Sequence, residues 1–226
     1  MLLPGLLCDA QLWAHQQHAL ADIADSRVID LTRSDSIADL ADDVLAEAPP
    51  RFALAGLSMG GYVALEVVRR APERVSALCL ADTSARADTP EQIRRRRGLI
   101  ELAEKGRFRG VTPKLLPLLI HPDRQDDEAL TEVVMSMAER VGKDAFLRQQ
   151  RAIMGRVDQL GHVRGIRCPT VVLCGRQDAL TPPELSEELA AGIPGAKLRL
   201  FDDCGHLSAL ERPQAVSEAM RDWLLA

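Results

Sequence analysis

Aromatic side chains are scarce in this sequence: two Trp, one Tyr and four Phe make up 3% of 226 residues. The formal net charge is −5. The chain therefore lacks both the stacking rings and the basic face of a nucleic-acid surface, so a small molecule is the expected partner and nucleic acid is not. No apolar run approaches the ~20 residues of a membrane-spanning helix, and the start Met1-Leu-Leu-Pro4-Gly5 lacks the cationic flank of a signal peptide. Neither membrane association nor export is expected. The cysteines, Cys8, Cys79, Cys168, Cys174 and Cys204, are odd in number and show no metal-ligand spacing. A disulfide framework is not expected, and the expectation is a cytoplasmic chain with no metal and no cofactor.

What is present is 46% apolar residues, enough to bury a sizeable core in one domain plus an insertion. The organising stretch is Phe52-Ala-Leu-Ala-Gly56-Leu-Ser58-Met-Gly60-Gly61 followed by Val63, Ala64, Val67 and Val68 at helical spacing. It reads as a buried strand that turns into a helix within two or three residues, with Pro72 stopping the helix. Such a turn strains one residue, and glycines on either side remove the Cβ atoms that would clash. Ser58 sits at that point, its hydroxyl raised near the positive end of the helix. The plainer reading is a glycine-rich turn with an incidental serine, and the strand before and helix after it weigh against that.

Strand candidates recur at Met1–Leu3, Arg27–Asp30, Val75–Ala81, Pro169–Gly175 and Leu198–Phe201, with helical patterns between them. Asp9 is read as a helix cap before Leu12, Trp13 and Leu20, and Ser36 as the opening of a helix that Pro49 and Pro50 end. The alternation predicts an α/β architecture, a mostly parallel doubly wound sheet of about six strands. Between residues 85 and 161 only helices are predicted: one from Thr89-Pro90, one from Thr112-Pro113 to His121, and two over 126–141 and 143–154. Residues 1–84 with 162–226 are thus expected to form the core, and 85–161 an inserted helical cap.

A serine hydroxyl needs a base within hydrogen-bond reach, and the base needs an orienting group. His206 follows the last strand in Asp202-Asp203-Cys204-Gly205-His206 and belongs on the sheet edge where Ser58 emerges. His15, His18, His121 and His162 read better as surface or packing residues. Asp178 follows the preceding strand, so its loop adjoins that of His206. Asp82, at the end of the Val75–Ala81 strand, is the competing acid. For oxyanion stabilisation the expected donors are the backbone N–H groups of Met59 and of Leu6, the latter in the Pro4-Gly5-Leu6-Leu7 loop. Arg94–Arg97 could offer a cation to an acidic substrate, but four successive residues point around a helix and most must be solvated. Leu115, Leu116, Leu118, Leu119, Ile120, Val134 and Met137 read first as the core of the helical segment, with some able to line an apolar acyl pocket.

The order Ser58, Asp178, His206, the Gly-Leu-Ser-Met-Gly-Gly turn and the early Pro-Gly loop resemble the α/β-hydrolase superfamily over essentially the whole chain. Gly175-Arg-Gln-Asp-Ala-Leu-Thr-Pro-Pro and Gly205-His-Leu-Ser-Ala-Leu-Glu-Arg-Pro are similar to the branch of 3-oxoadipate enol-lactonases and small carboxylesterases. The resemblance implies a cofactor-independent serine hydrolase of carboxylic esters or lactones. A 3-oxoadipate enol-lactonase is the narrower alternative, and a non-catalytic receptor or scaffold on the same fold is the alternative of another class. Two features depart from the family pattern. Members commonly have His-Gly where this chain has Pro4-Gly5, which removes one supporting hydrogen bond, and they carry two further strands before that loop. Without those strands the Arg27–Asp30 strand would be an exposed edge, able to form a homo-oligomer and expected to gain stability from an N-terminal extension.

Overall fold

The computed structural model describes residues 1–226, the Arg107 side chain excepted. Five parallel strands, β1 (Leu2–Leu3), β2 (Phe52–Leu57), β3 (Val75–Ala81), β4 (Thr170–Gly175) and β5 (Lys197–Phe201), lie side by side in chain order. Parallel strands need crossovers, and the helices supply them on both faces. Alternate strand residues sort accordingly. Leu54, Leu78, Leu80 and Val172 pack with α2 (Ile37–Glu47), α3 (Met59–Arg70) and α8 (Pro183–Gly192). Ala55, Leu57, Cys79, Val171 and Leu173 face the opposite layer, where a 3₁₀ turn (Ala10–Trp13) leads into α1 (Ala14–Ala19), and α9 (Ser208–Glu211) and α10 (Pro213–Leu224) close the chain. Fully buried leucines such as Leu54 and Leu78 each contribute roughly 1.5–3 kcal/mol through burial.

The sequence-based expectation of about six strands is corrected here. Arg27–Asp30 supplies no strand, only one bridge between Val28 and Leu2. The cause is the shortness of β1: Leu2 N–H donates to Arg27 O at 2.8 Å and Ile29 N–H to Leu2 O at 3.0 Å, after which Pro4 has no N–H to extend a ladder. The expected helix starts are present. Asp9 accepts from Gln11 N–H and Ser36 accepts from Ala38 and Asp39 N–H, as N-caps do.

Between β3 and β4 every regular element is a helix. Thr89 and Gln92 form a reciprocal capping box at the start of α4 (Pro90–Leu102). The helix expected from Thr112 to His121 is confined to the single turn α5 (Leu116–Leu119), with a 3₁₀ turn after His121. The next two expected helices form one element, α6 (Glu128–Met154), broken by left-handed Gly142 at φ 76°. After it come α7 (Leu160–Val163) and β4. Asp88 ties the ends of this segment, with its fully buried carboxylate paired to Arg96 at 2.7 Å and to Arg156 at 2.6 Å. Arg94, Arg95 and Arg97 are exposed. Among the described residues no helix is long and apolar enough to cross a membrane.

Candidate active site

Ser58, Asp82, Asp178 and His206 all follow the C-terminal ends of strands, the edge where open parallel sheets bind their ligands. At Ser58 the β2–α3 turn forces φ to +55° and ψ to −115°, a region that costs a non-glycine residue of order 1–3 kcal/mol. The surroundings hold it there: Ser58 N–H donates to Ala81 O at 2.9 Å, and the Thr83 hydroxyl donates to Ser58 O at 2.8 Å. Glycine is required on both sides. A Cβ on Gly56 would lie 2.3 Å from Gly60 O, and one on Gly60 would lie 2.2 Å from Leu3 O.

The Ser58 Oγ lies 2.9 Å from His206 Nε2, and His206 Nδ1 lies 2.8 Å from Asp178 Oδ2. Because Asp178 accepts, Nδ1 carries the proton and Nε2 is left to accept from the Ser58 hydroxyl. Asp178 is fixed by its own loop, accepting from Leu180 N–H at 2.8 Å, Thr181 N–H at 2.9 Å and the Thr181 hydroxyl at 2.7 Å. The loops bearing Asp178 and His206 are joined through Gln177, whose N–H donates to Cys204 O while its side chain accepts from Cys204 N–H. Burial opposes charge on both members of the pair. It is outweighed by their mutual attraction, which holds the Asp178 carboxyl below its ordinary range and the His206 imidazole above 6.5.

Asp82 is also fully buried, but its bonds lead elsewhere. Its Oδ1 accepts from Gly175 N–H at 3.0 Å, and its Oδ2 pairs with the Ser208 hydroxyl. Burial, with the nearby Asp178 charge, pushes its carboxyl up to about 8. Asp82, Cys174 and Asp178 have ligand atoms within 4.8 Å of one another, yet the carboxylate oxygens of both acids are already engaged by these protein donors.

The Pro4–Leu7 loop runs against Ser58, since a Cβ on Gly5 would stand 3.4 Å from Ser58 Cβ. Cys8 N–H donates to Gly5 O at 3.1 Å, making Leu6 and Leu7 the centre of a tight turn, with Leu7 at φ +58°. Among the described residues no acceptor is paired with the N–H of Leu6 or of Met59. Leu6 and Leu7 pack with Leu99 of α4, with Ala138, Val141 and Phe146 of α6, and with Phe108 in the segment between those helices. Leu116, Ile120, Val134 and Met137 instead join the opposite layer with Leu207 and Trp13.

Two buried polar residues that sequence reasoning passed over stand behind this arrangement. Glu211, 1% exposed, accepts from Gly205 N–H at 2.9 Å and from His121 N–H at 2.7 Å. It thereby joins the loop of His206 to the helical segment, a link reinforced where His206 N–H and Leu207 N–H both donate to Leu119 O at 3.1 Å. Burial raises the Glu211 carboxyl against the pull of those two N–H groups. Gln149, fully buried on α6, accepts from Leu7 N–H at 3.1 Å and donates to Leu31 O at 3.2 Å. A glutamate among apolar residues just before Pro213 offered a weak signal; Gln149 offered none. Of the other histidines, His15 pairs with Ser217 and His121 accepts from Asp123 N–H.

A family model described as the alpha/beta hydrolase family matches residues 2–219. A protein named non-heme bromoperoxidase BpoC, of Mycobacterium tuberculosis, is 31% identical over 183 residues, 79% of this chain and 69% of that one. Among solved structures, a thermophilic esterase from Thermogutta terrifontis has a TM-score of 0.87 at 29% identity, over 99% of this chain and 88% of the esterase. The enol-lactonase from Burkholderia xenovorans LB400 has a TM-score of 0.80 at 25% identity, over 100% of this chain and 91% of that one. With nearly its whole length matched by one family model, and with a solved esterase superposing over 99% of it at a TM-score of 0.87, this chain belongs to the alpha/beta hydrolase family.

Proposed function

We propose that this protein is a cofactor-independent serine hydrolase of carboxylic esters or lactones, with Ser58, His206 and Asp178 as its catalytic triad. The observation that carries the reading is the 2.9 Å approach of Ser58 Oγ to a His206 whose other nitrogen is held by Asp178. In this mechanism Ser58 Oγ attacks the carbonyl carbon as its proton passes to His206 Nε2. The carbonyl oxygen, now negative, is received by the N–H groups of Leu6 and Met59. His206 then returns the proton to the leaving alkoxide, and the C–O bond breaks to give an acyl-Ser58. Water, deprotonated by His206, attacks the acyl carbon; the bond from that carbon to Ser58 Oγ breaks as His206 returns the proton to Oγ, so each turnover converts ester and water into acid and alcohol.

Asp178, rather than Asp82, is assigned as the orienting acid because it alone bonds the imidazole, while Asp82 is occupied by Gly175 and Ser208. Residues 85–161 act as a helical cap, and their cluster around Leu6, Leu7 and Phe146 suits an apolar acyl chain. Five free thiols, four of them buried, suit a reducing compartment, and the cytoplasm is the proposed location.

Initial rates on short-chain p-nitrophenyl esters and on 3-oxoadipate enol-lactone test the reading. Turnover of the nitrophenyl esters is expected. Turnover of the enol-lactone alone would narrow the activity to the enol-lactonase that the second solved relative represents. Turnover of neither, together with an unreactive Ser58, would leave a hydrolase-fold scaffold.

A further inference from the structure

The turn that offers the Leu6 N–H has no side chain of its own to hold it. Pro4 lacks an N–H, Gly5 lacks a side chain, and Leu6 and Leu7 are aliphatic. Closed by the Cys8–Gly5 bond, the turn has the Leu6–Leu7 peptide at its centre. In a turn of this size the central peptide has two orientations, which exchange its N–H for its C=O. The observed one places Leu7 in the left-handed region at φ +58°, which the Cβ of a leucine disfavours. Something must offset that cost. The polar partner of this peptide's N–H is the Oε1 of Gln149 at 3.1 Å, 142 residues away on α6. Gln149 cannot swing aside, because it is fully buried and its Nε2 is bound to Leu31 O at 3.2 Å. Leaving either amide end unpaired there would strand a buried polar group without a partner. On the far side of the turn, the Leu6 carbonyl faces Cys8 Sγ at 3.5 Å.

We infer that Gln149 is a positioning residue for the oxyanion site: by accepting from Leu7 N–H it locks the Leu6–Leu7 peptide, and so keeps the Leu6 N–H beside Ser58. The inference rests on the function proposed above and extends it. It gives α6 a second task besides covering the pocket, because the helix that roofs Leu6 and Leu7 also sets the orientation of their shared peptide. Reversing that peptide would move the Leu6 carbonyl to where Leu7 N–H now lies and remodel the loop that Gly5 seats against Ser58.

The test compares the wild type with Gln149→Met, which keeps volume and removes both hydrogen bonds, and with Gln149→Asn, which keeps the amide but is one methylene too short to reach both partners. With p-nitrophenyl butyrate, kcat is expected to fall about 10–100-fold in each variant, less than the 10²–10³-fold for deleting an oxyanion donor outright, while KM stays within about threefold. Affinity for a trifluoromethyl ketone, whose adduct carries the tetrahedral oxyanion, should fall by the same factor as kcat. Amide exchange in the peptide covering residues 4–9 should quicken. A folded variant that keeps kcat/KM within threefold, or that loses kcat without losing trifluoromethyl ketone affinity, overturns the inference alone. A wild type that neither hydrolyses the ester nor reacts at Ser58 overturns the proposed function, and this inference with it.

Discussion

The turn at Ser58 and the helical segment between β3 and β4 bear on the same few atoms through contacts of very different span. The Ser58 turn is built from neighbours: Gly56 lies against Gly60, and β2 runs straight into α3. The helical segment reaches the site by bonds that bridge 142 residues from Gln149 to Leu7 and 90 from Glu211 to His121. The first kind of contact leaves a pattern in the sequence because local sterics permit few residue types. The second leaves at most a weak one, because the role of a buried glutamine or glutamate is recognisable only once its distant partners are known. On this account the sheet-edge loops hold the reacting groups, and the helical segment holds the loops.

The largest expected effects lie in the first region. Ser58→Ala and His206→Ala should each lower kcat by ~10⁴-fold or more, since triad members act as a unit; initial rates within tenfold of wild type in either would break the assignment. Asp178→Asn should cost ~10⁴-fold and Asp82→Asn less than about threefold. The reverse ranking would transfer the orienting role to Asp82. In the wild type, kcat/KM should rise with pH through a single group titrating above 6.5, because His206 must be neutral to accept the proton and Asp178 favours its charged form. A pH-rate profile with its midpoint below that value would contradict the pairing.

In the second region the effects should be smaller and divided between stability and rate. Glu211→Gln leaves one acceptor for two buried N–H donors, so one of Gly205 and His121 loses its partner. The cost should be about 1–3 kcal/mol, read as a lower Tm, with kcat reduced about tenfold as the His206 loop loosens. An unchanged Tm would show that this joint carries nothing.

Asp82 gives a smaller effect with a definite sign. Its folded pKa of about 8 exceeds the ordinary 3.8, so the folded state holds the proton more tightly. The contribution to stability is complete below about pH 4 and is lost as pH rises through 8. Asp82→Asn mimics the protonated form, so its Tm margin over wild type should widen from about pH 4 to pH 8 and then level off. A margin independent of pH would mean that Asp82 is ionised throughout. Least of all should change with Arg95→Ala, which is exposed on α4; kcat/KM within about twofold is expected, and a larger loss with an acidic substrate would bring the arginine run into the pocket.

Much of the architecture was legible in the residues, and the limits have physical causes. The buried strands, the Gly-x-Ser-x-Gly turn, the Asp9, Ser36 and Thr89 helix starts and the break near Gly142 all depend on local propensity and sterics. Arg27–Asp30 has the composition of a strand, but strand formation depends on a partner, and two-residue β1 offers only one bridge. The juxtaposition of Ser58, His206 and Asp178 was legible because each follows a strand and the strands lie in chain order. The supports of Leu7 and His121 were not, since both cross between the helical segment and the core through backbone groups that any residue could supply.

Covalent labelling by a fluorophosphonate, with intact mass and peptide mapping, reads the activation of Ser58 without knowledge of the substrate. One adduct per chain is expected, on Ser58, abolished in Ser58→Ala and slowed by orders of magnitude in His206→Ala. An adduct on another residue, or labelling of Ser58 that proceeds undiminished without His206, would contradict the triad assignment.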